Sequence, residues 1–83
     1  MTLLYFAWVR QKTGRGEEVL ALPPTVKTVS DLTEHLKNRD GGYADAFADL
    51  KRIRVAINQD HVSFDTVLHD GDEVAFFPPV TGG

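Results

Sequence analysis

The run Leu3-Leu4-Tyr5-Phe6-Ala7-Trp8-Val9 sets the first limit on what this chain can fold into. It is apolar at every position and rich in aromatics, so it must be buried, yet it falls well short of the ~20 residues that cross a membrane as a helix. Read as a strand, it puts Leu3, Tyr5, Ala7 and Val9 on one face and Leu4, Phe6 and Trp8 on the other. A strand apolar on both faces belongs inside a sheet that is covered on both sides. The chain has 83 residues, which makes one domain with one small core. One helix can cover only one face of such a sheet. The second apolar face is therefore expected to meet a partner.

The remaining pattern supplies that helix and the other strands. Arg10 closes the first run, and Thr13-Gly14-Arg15-Gly16 is a turn in which glycine supplies positive φ. Residues 17–22 then read as a second strand, antiparallel to the first, ended by Pro23-Pro24. Gly14-x-Gly16 is no phosphate loop, because a strand follows it and no Lys-Ser/Thr pair accompanies it. Thr28-Val29-Ser30-Asp31 matches a capping box, and Val29, Leu32 and Leu36 follow at helical spacing. With Gly41-Gly42 as its stop, the helix would run about twelve residues, roughly 18 Å. His35, Lys37, Asn38 and Arg39 are expected in solvent. Residues 43–50, with Phe47 and Leu50 three apart, predict a short second helix. Ile53, Val55 and Ile57 alternate with Arg54, Ala56 and Asn58 as a half-buried strand. Residues 58–61 read as a turn, Val62 with Phe64 as a brief strand, and Asp70-Gly71-Asp72 as another turn. Residues 73–77 form the last strand, with Val74 and Phe76 on one face and Ala75 and Phe77 on the other.

This order, β-β-α, a short helix, then two or three β, predicts an α+β fold with a mixed sheet of four to five strands. The first and last strands would be central neighbours, and the main helix would lie across one face. That is the β-grasp, or ubiquitin-like, arrangement. No linker or repeat divides the chain, so residues 1–83 are expected to form one domain.

Composition narrows the function. The net charge of −3 argues against a nucleic-acid partner, which calls for a basic face. The absence of cysteine excludes a disulfide scaffold, a thiolate zinc site and a cysteine nucleophile. His35, His61 and His69 sit in no ligand spacing, so no metal site is expected. Ser63, His69 and an aspartate could be posed as a triad, but nothing marks a nucleophile elbow. With no basic leader and no membrane span, the default location is the cytoplasm.

The end of the chain is the remaining feature with chemistry in it. Phe76-Phe77 runs into Pro78-Pro79, then Val80-Thr81, then Gly82-Gly83. The prolines fix their own φ and push the preceding residue towards extended geometry, so residues 78–83 should leave the domain as an arm. Glycines without a Cβ can thread a narrow channel, and the carbonyl carbon of a final glycine is open to attack. A frayed end is the ordinary alternative. The terminal carboxylate is nonetheless the best candidate for a reacting group in this chain.

Several blocks resemble the small subunits of molybdopterin synthase. These are Tyr5-Phe6-Ala7-Trp8-Val9-Arg10, Val55-Ala56-Ile57-Asn58-Gln59, Val62-Ser63, and the long block from Asp70-Gly71-Asp72-Glu73 through Phe76-Phe77-Pro78-Pro79-Val80-Thr81-Gly82-Gly83. The resemblance implies a β-grasp sulfur carrier in molybdenum cofactor biosynthesis. By that likeness, an ATP-using activating enzyme, similar to ubiquitin-activating enzymes, adenylates Gly83. A sulfur donor then converts it to a thiocarboxylate, and no cofactor stays bound to the carrier. The tail, Gly82 included, enters the large subunit and gives its sulfur to cyclic pyranopterin monophosphate, in an assembly of two small and two large subunits. The carrier would deliver sulfur while the large subunit supplies the catalytic site. The likeness also implies that Phe6, Arg10, His61, Phe77, Pro78, Pro79, Val80 and Thr81 contact partners. His61 stands where an apolar residue is common in that family. Three alternatives stay open: a sulfur carrier of thiamine biosynthesis, a ubiquitin-like modifier joined to lysines, and a binding module with an inert tail.

Overall fold

The computed structural model describes residues 1–39 and 41–79. Five strands form one sheet: β1 (Thr2–Tyr5), β2 (Glu17–Val19), β3 (Arg54–Ile57), β4 (Asp60–Val62) and β5 (Glu73–Phe77). Their order across the sheet is β2-β1-β5-β3-β4. β1 and β5 run parallel at the centre, with Leu3 opposite Val74 and Tyr5 opposite Phe76. The other neighbours are antiparallel. This is the mixed sheet with first and last strands adjacent that the sequence predicts.

Strand parity decides what is buried. Leu3, Tyr5, Val55, Val74 and Phe76 face inward and are at most 2% exposed. Helix α2 (Val29–Lys37) packs Val29, Leu32 and Leu36 into the same core. Its start is the capping box read from the sequence. The Thr28 hydroxyl accepts from the Asp31 N–H at 3.2 Å, and the Asp31 carboxylate accepts from the Thr28 N–H at 3.1 Å. Helix α3 (Tyr43–Ala46) and the following Phe47 close one end of the core. There the Phe47 and Phe76 rings meet edge to face at 5.0 Å, and Tyr5 stacks on Phe76 at 6.1 Å, geometries that add to simple area burial.

Four sequence expectations change, beyond a β2 that stops at Val19 and a β4 that spans Asp60–Val62 and not Val62 with Phe64. The run Leu3 to Val9 is not one strand. β1 stops at Tyr5, Phe6 stays extended, Ala7 takes φ +51°, and helix α1 (Ala7–Thr13) begins there. Arg10 therefore lies on a helix and does not close a strand. Val9 and Thr13, four residues apart, are its buried face, a spacing hidden inside an apolar run too short for periodicity to arbitrate. Second, α2 ends after nine residues at Asn38, before the two glycines. Third, the segment after Gly42 is two short pieces, α3 and a 3-10 turn over Leu50–Arg52. Fourth, the β3–β4 connection is tighter than a four-residue turn. Ile57 pairs with Asp60, and Asn58 and Gln59 both take positive φ, at +51° and +73°, as a two-residue hairpin turn requires.

Gly42 has a role other than stopping a helix. A Cβ there would fall inside the van der Waals surface of the Lys12 carbonyl oxygen, so this glycine lets the backbones of α1 and α3 touch. The Lys12 ammonium and the Asp45 carboxylate clasp the same junction.

Candidate functional site

The sheet face turned away from α2 is the open one. Phe6 keeps strand dihedrals, φ −123° and ψ 155°, so its side chain points opposite to Tyr5. Its N–H donates to the Phe76 carbonyl at 3.1 Å, extending the β1–β5 ladder by one step. That register sets Phe6 beside Phe77, on the face that also carries Leu4 and Ala75. Phe6 is 48% exposed, one of the few large apolar side chains left in solvent. Leu4, Ala75 and Phe77 are half-buried.

The other sequence-predicted partner residues that the structure describes are His61, Pro78, Pro79 and Arg10. His61 is exposed on edge strand β4, and its ring lies 5.2 Å from that of Phe77. Its register partner Ala56 is buried between it and Ala75. Pro78 and Pro79 follow Phe77 directly and are half-buried. Arg10 is exposed on α1, one helical turn past Phe6, with its guanidinium against Gly16. The structure thus brings Phe6, His61, Phe77 and the root of the arm together. Val80, Thr81, Gly82 and Gly83 lie outside the described residues.

A second cluster was not foreseen from the sequence. Glu18 faces inward from β2, opposite Leu3, and its side chain is only 8% exposed. Its Oε1 accepts hydrogen bonds from the Tyr5 hydroxyl at 2.7 Å, the Arg39 guanidinium at 2.7 Å and the Tyr43 hydroxyl at 3.2 Å. Its Oε2 accepts from Arg15 at 3.1 Å. Burial works against ionisation of Glu18. The hydrogen bonds from Tyr5 and Arg39, the Arg39 charge and the Tyr43 hydrogen bond outweigh it and hold the carboxyl below the ordinary glutamate value. Burial first, then the hydrogen bond to Glu18 and its charge, push the Tyr5 phenol far above its ordinary value. Arg39 is consequently not a solvated residue: it is paired with Glu18 and stacked 4.4 Å over the Tyr43 ring. The signal in the sequence was parity, since Glu18 and Leu20 share the side of β2 that faces the core. Through these four hydrogen bonds the carboxylate ties β2 to β1, to the segment that follows α2, and to α3.

Among the described residues no helix is long and apolar enough to cross a membrane. The features singled out by the sequence are the apolar face around Phe6 and Phe77 and the C-terminal segment that follows β5.

Comparison with known proteins bears on both. A family model described as the ThiS family matches residues 3–83. The molybdopterin synthase sulfur carrier subunit of Escherichia coli is 49% identical over 82 residues, covering 98% of this chain and 96% of that protein. The protein of the same name from Haemophilus influenzae is 35% identical over 83 residues, covering 100% and 99%. Among solved structures, a Pyrococcus furiosus protein described as molybdopterin converting factor, subunit 1, superposes with a TM-score of 0.69 at 32% identity, covering 95% of each chain.

Proposed function

Because this chain belongs to the ThiS family, and within it to the molybdopterin synthase sulfur carrier subunits, we propose that it carries sulfur for molybdenum cofactor biosynthesis on its C-terminal glycine. The observation that carries this reading is the end-to-end match to proteins of that name, running through β5 and Pro78-Pro79 into Gly82-Gly83.

The chemistry follows from what a carboxylate lacks. A carboxylate is a poor electrophile. Attack of the Gly83 carboxylate on the α-phosphorus of ATP, at an activating enzyme, releases pyrophosphate and leaves an acyl-adenylate. A sulfur nucleophile from a donor then displaces AMP and leaves a thiocarboxylate. The thiocarboxylate is a soft anionic nucleophile suited to attack carbon in cyclic pyranopterin monophosphate, at a site supplied by the large subunit. Gly82 and Gly83 offer no side chain to obstruct either step. The β-grasp domain contributes delivery, holding the reacting group at high effective concentration once the domain has docked.

Phe6, Phe77 and His61, with Arg10 near the rim, supply a surface for that docking. Phe6 is exposed in the free chain at little cost in folding and has apolar area to bury in a complex. Val80 and Thr81 would line the entry path with Pro78 and Pro79. Two carriers would flank a central pair of large subunits, each arm reaching one active site.

The test is intact mass after incubation with ATP, the activating enzyme and a sulfur donor. Replacement of one oxygen by sulfur at Gly83 is expected. An unchanged mass would leave a binding module with an inert tail, and isopeptide conjugates to lysine would indicate a modifier. Supplying the loaded carrier to the large subunit with cyclic pyranopterin monophosphate separates this pathway from that of thiamine.

A further inference from the structure

The charges of this chain are divided between its two ends. β1 and β5 are parallel, so Tyr5, Phe6 and Phe77 all lie at the end from which the arm departs. Seven of the nine Lys and Arg residues gather at that end. Arg10 and Lys12 are on α1, which starts from Phe6. Arg15 and Arg39 meet at Glu18, beside the Tyr5 hydroxyl. Arg52 lies 5.3 Å over the Trp8 ring of α1, next to Lys51, and Arg54 is in register with Phe77. The acids placed there are Glu17, Glu18, Asp45 and Asp49. Those four leave an excess of three positive charges, and counting Asp40, the neighbour of Arg39 in sequence, and the carboxylate that ends the arm still leaves one. The opposite end is acidic. Glu73 pairs with Thr2, the Thr2 N–H donates to the Asp72 carbonyl, Asp60 pairs with Ile57, and Asp70 lies 3.9 Å from the N-terminal ammonium.

Two of the tail-end arginines are held in place. One carboxylate, Glu18, pins both Arg15 and Arg39, and Tyr43 supports the second from below. Two guanidiniums on one carboxylate keep a net positive charge and spare N–H donors. These two residues, with Asn38 and Tyr43, line an open cleft of about 390 Å³. Fixed arginines lose less side-chain freedom on meeting an oxyanion than free ones.

We infer that the tail-bearing end is a basic docking collar whose partner is an acidic rim around the site on the large subunit that receives the arm. This rests on the sulfur-carrier reading. The net charge of −3 would by itself predict repulsion from an acidic surface. The segregated charge predicts attraction, and orients the carrier with its arm forward.

Association of the full chain with the large subunit, followed by stopped flow across a salt series, tests this. The association rate is expected to fall at least about fivefold from low to several-hundred-millimolar salt, as for steered encounters. Arg15→Gln and Arg52→Gln should each slow association at low salt and flatten the salt dependence, with dissociation little changed. Lys27→Gln removes the same charge away from the collar, beside Leu68, and should leave the rate unaltered. Thermal melts of each variant confirm the fold. An association rate that is flat or rises with salt overturns the inference, as does equality of Arg52→Gln with Lys27→Gln. A failure of every carrier to bind at any salt removes the docking reading itself, and the collar with it.

Discussion

At the scale of single residues, two neighbours on β5 separate folding from recognition. Phe76 is 0% exposed and touches Tyr5 and Phe47, while Phe77 lies half-buried on the opposite face against His61. Phe76→Ala is expected to cost about 3–5 kcal/mol of stability by emptying the core. Phe77→Ala should melt close to the parent and instead weaken large-subunit binding by ~2 kcal/mol or more. Calorimetry and affinity measured in parallel on the two variants decide this, and the reverse pattern would invert the assignment of the faces. Glu18 makes a prediction in pH. Its folded-state value lies below the ordinary 4.5, so the folded state favours the ionised form. The stability it contributes is complete above that ordinary value and is lost as pH falls through the lowered folded value. Acid titration of melting temperature should therefore fall less steeply in Glu18→Gln than in the parent. Parallel acid limbs would show that the carboxylate is not coupled to folding.

Elements show what the sequence could and could not disclose. β5 was legible to the residue, since Val74 and Phe76 alternate cleanly with Ala75 and Phe77 and the prolines mark its end. The start of α2 was legible for an equally local reason, its capping box. α1 was not. Apolar residues continue without a break from Leu3 to Val9, and only the αL conformation at Ala7 separates strand from helix. The signal that did exist lay at the other end. Gly14 takes φ +81° and donates to the Arg10 carbonyl, with Arg10 and Lys12 in the last turn, which is how helices commonly stop. Reading Gly14 as a hairpin turn hid it. The junction that α1 makes with α3 is specific enough to test. Gly41 has φ +76° with open space around it, so Gly41→Ala should cost about 1 kcal/mol of backbone strain. Gly42→Ala must displace the Lys12 backbone and should cost about 3 kcal/mol or more. Equal melting temperatures for the two would show that the α1–α3 contact is loose.

At the scale of the whole molecule, the residues that build the core and the residue proposed to carry the chemistry are different ones. Among the described residues, the last core side chain is Phe76. The proposed chemistry, by contrast, rests on the final glycine. The order of elements and the parity of the strands made the fold and its open face readable from sequence. The charge division was not readable, because arginines far apart in the chain meet only once β1 and β5 are laid parallel. This separation sets the strongest expectation for the molecule. A chain lacking Gly83 should keep the parent melting temperature within about 2–4 °C, since surface changes away from the core commonly alter stability by under ~0.5 kcal/mol. It should also bind the large subunit through the intact Phe6–Phe77 face, yet gain no sulfur from ATP, activating enzyme and donor. A chain extended by one residue beyond Gly83 should behave in the same way, because its carboxylate is displaced by a residue from where the activating enzyme meets it. Intact mass, a thermal melt and a binding isotherm on each variant provide the check. If the shortened chain still supports molybdopterin formation with purified partners, sulfur does not travel on Gly83.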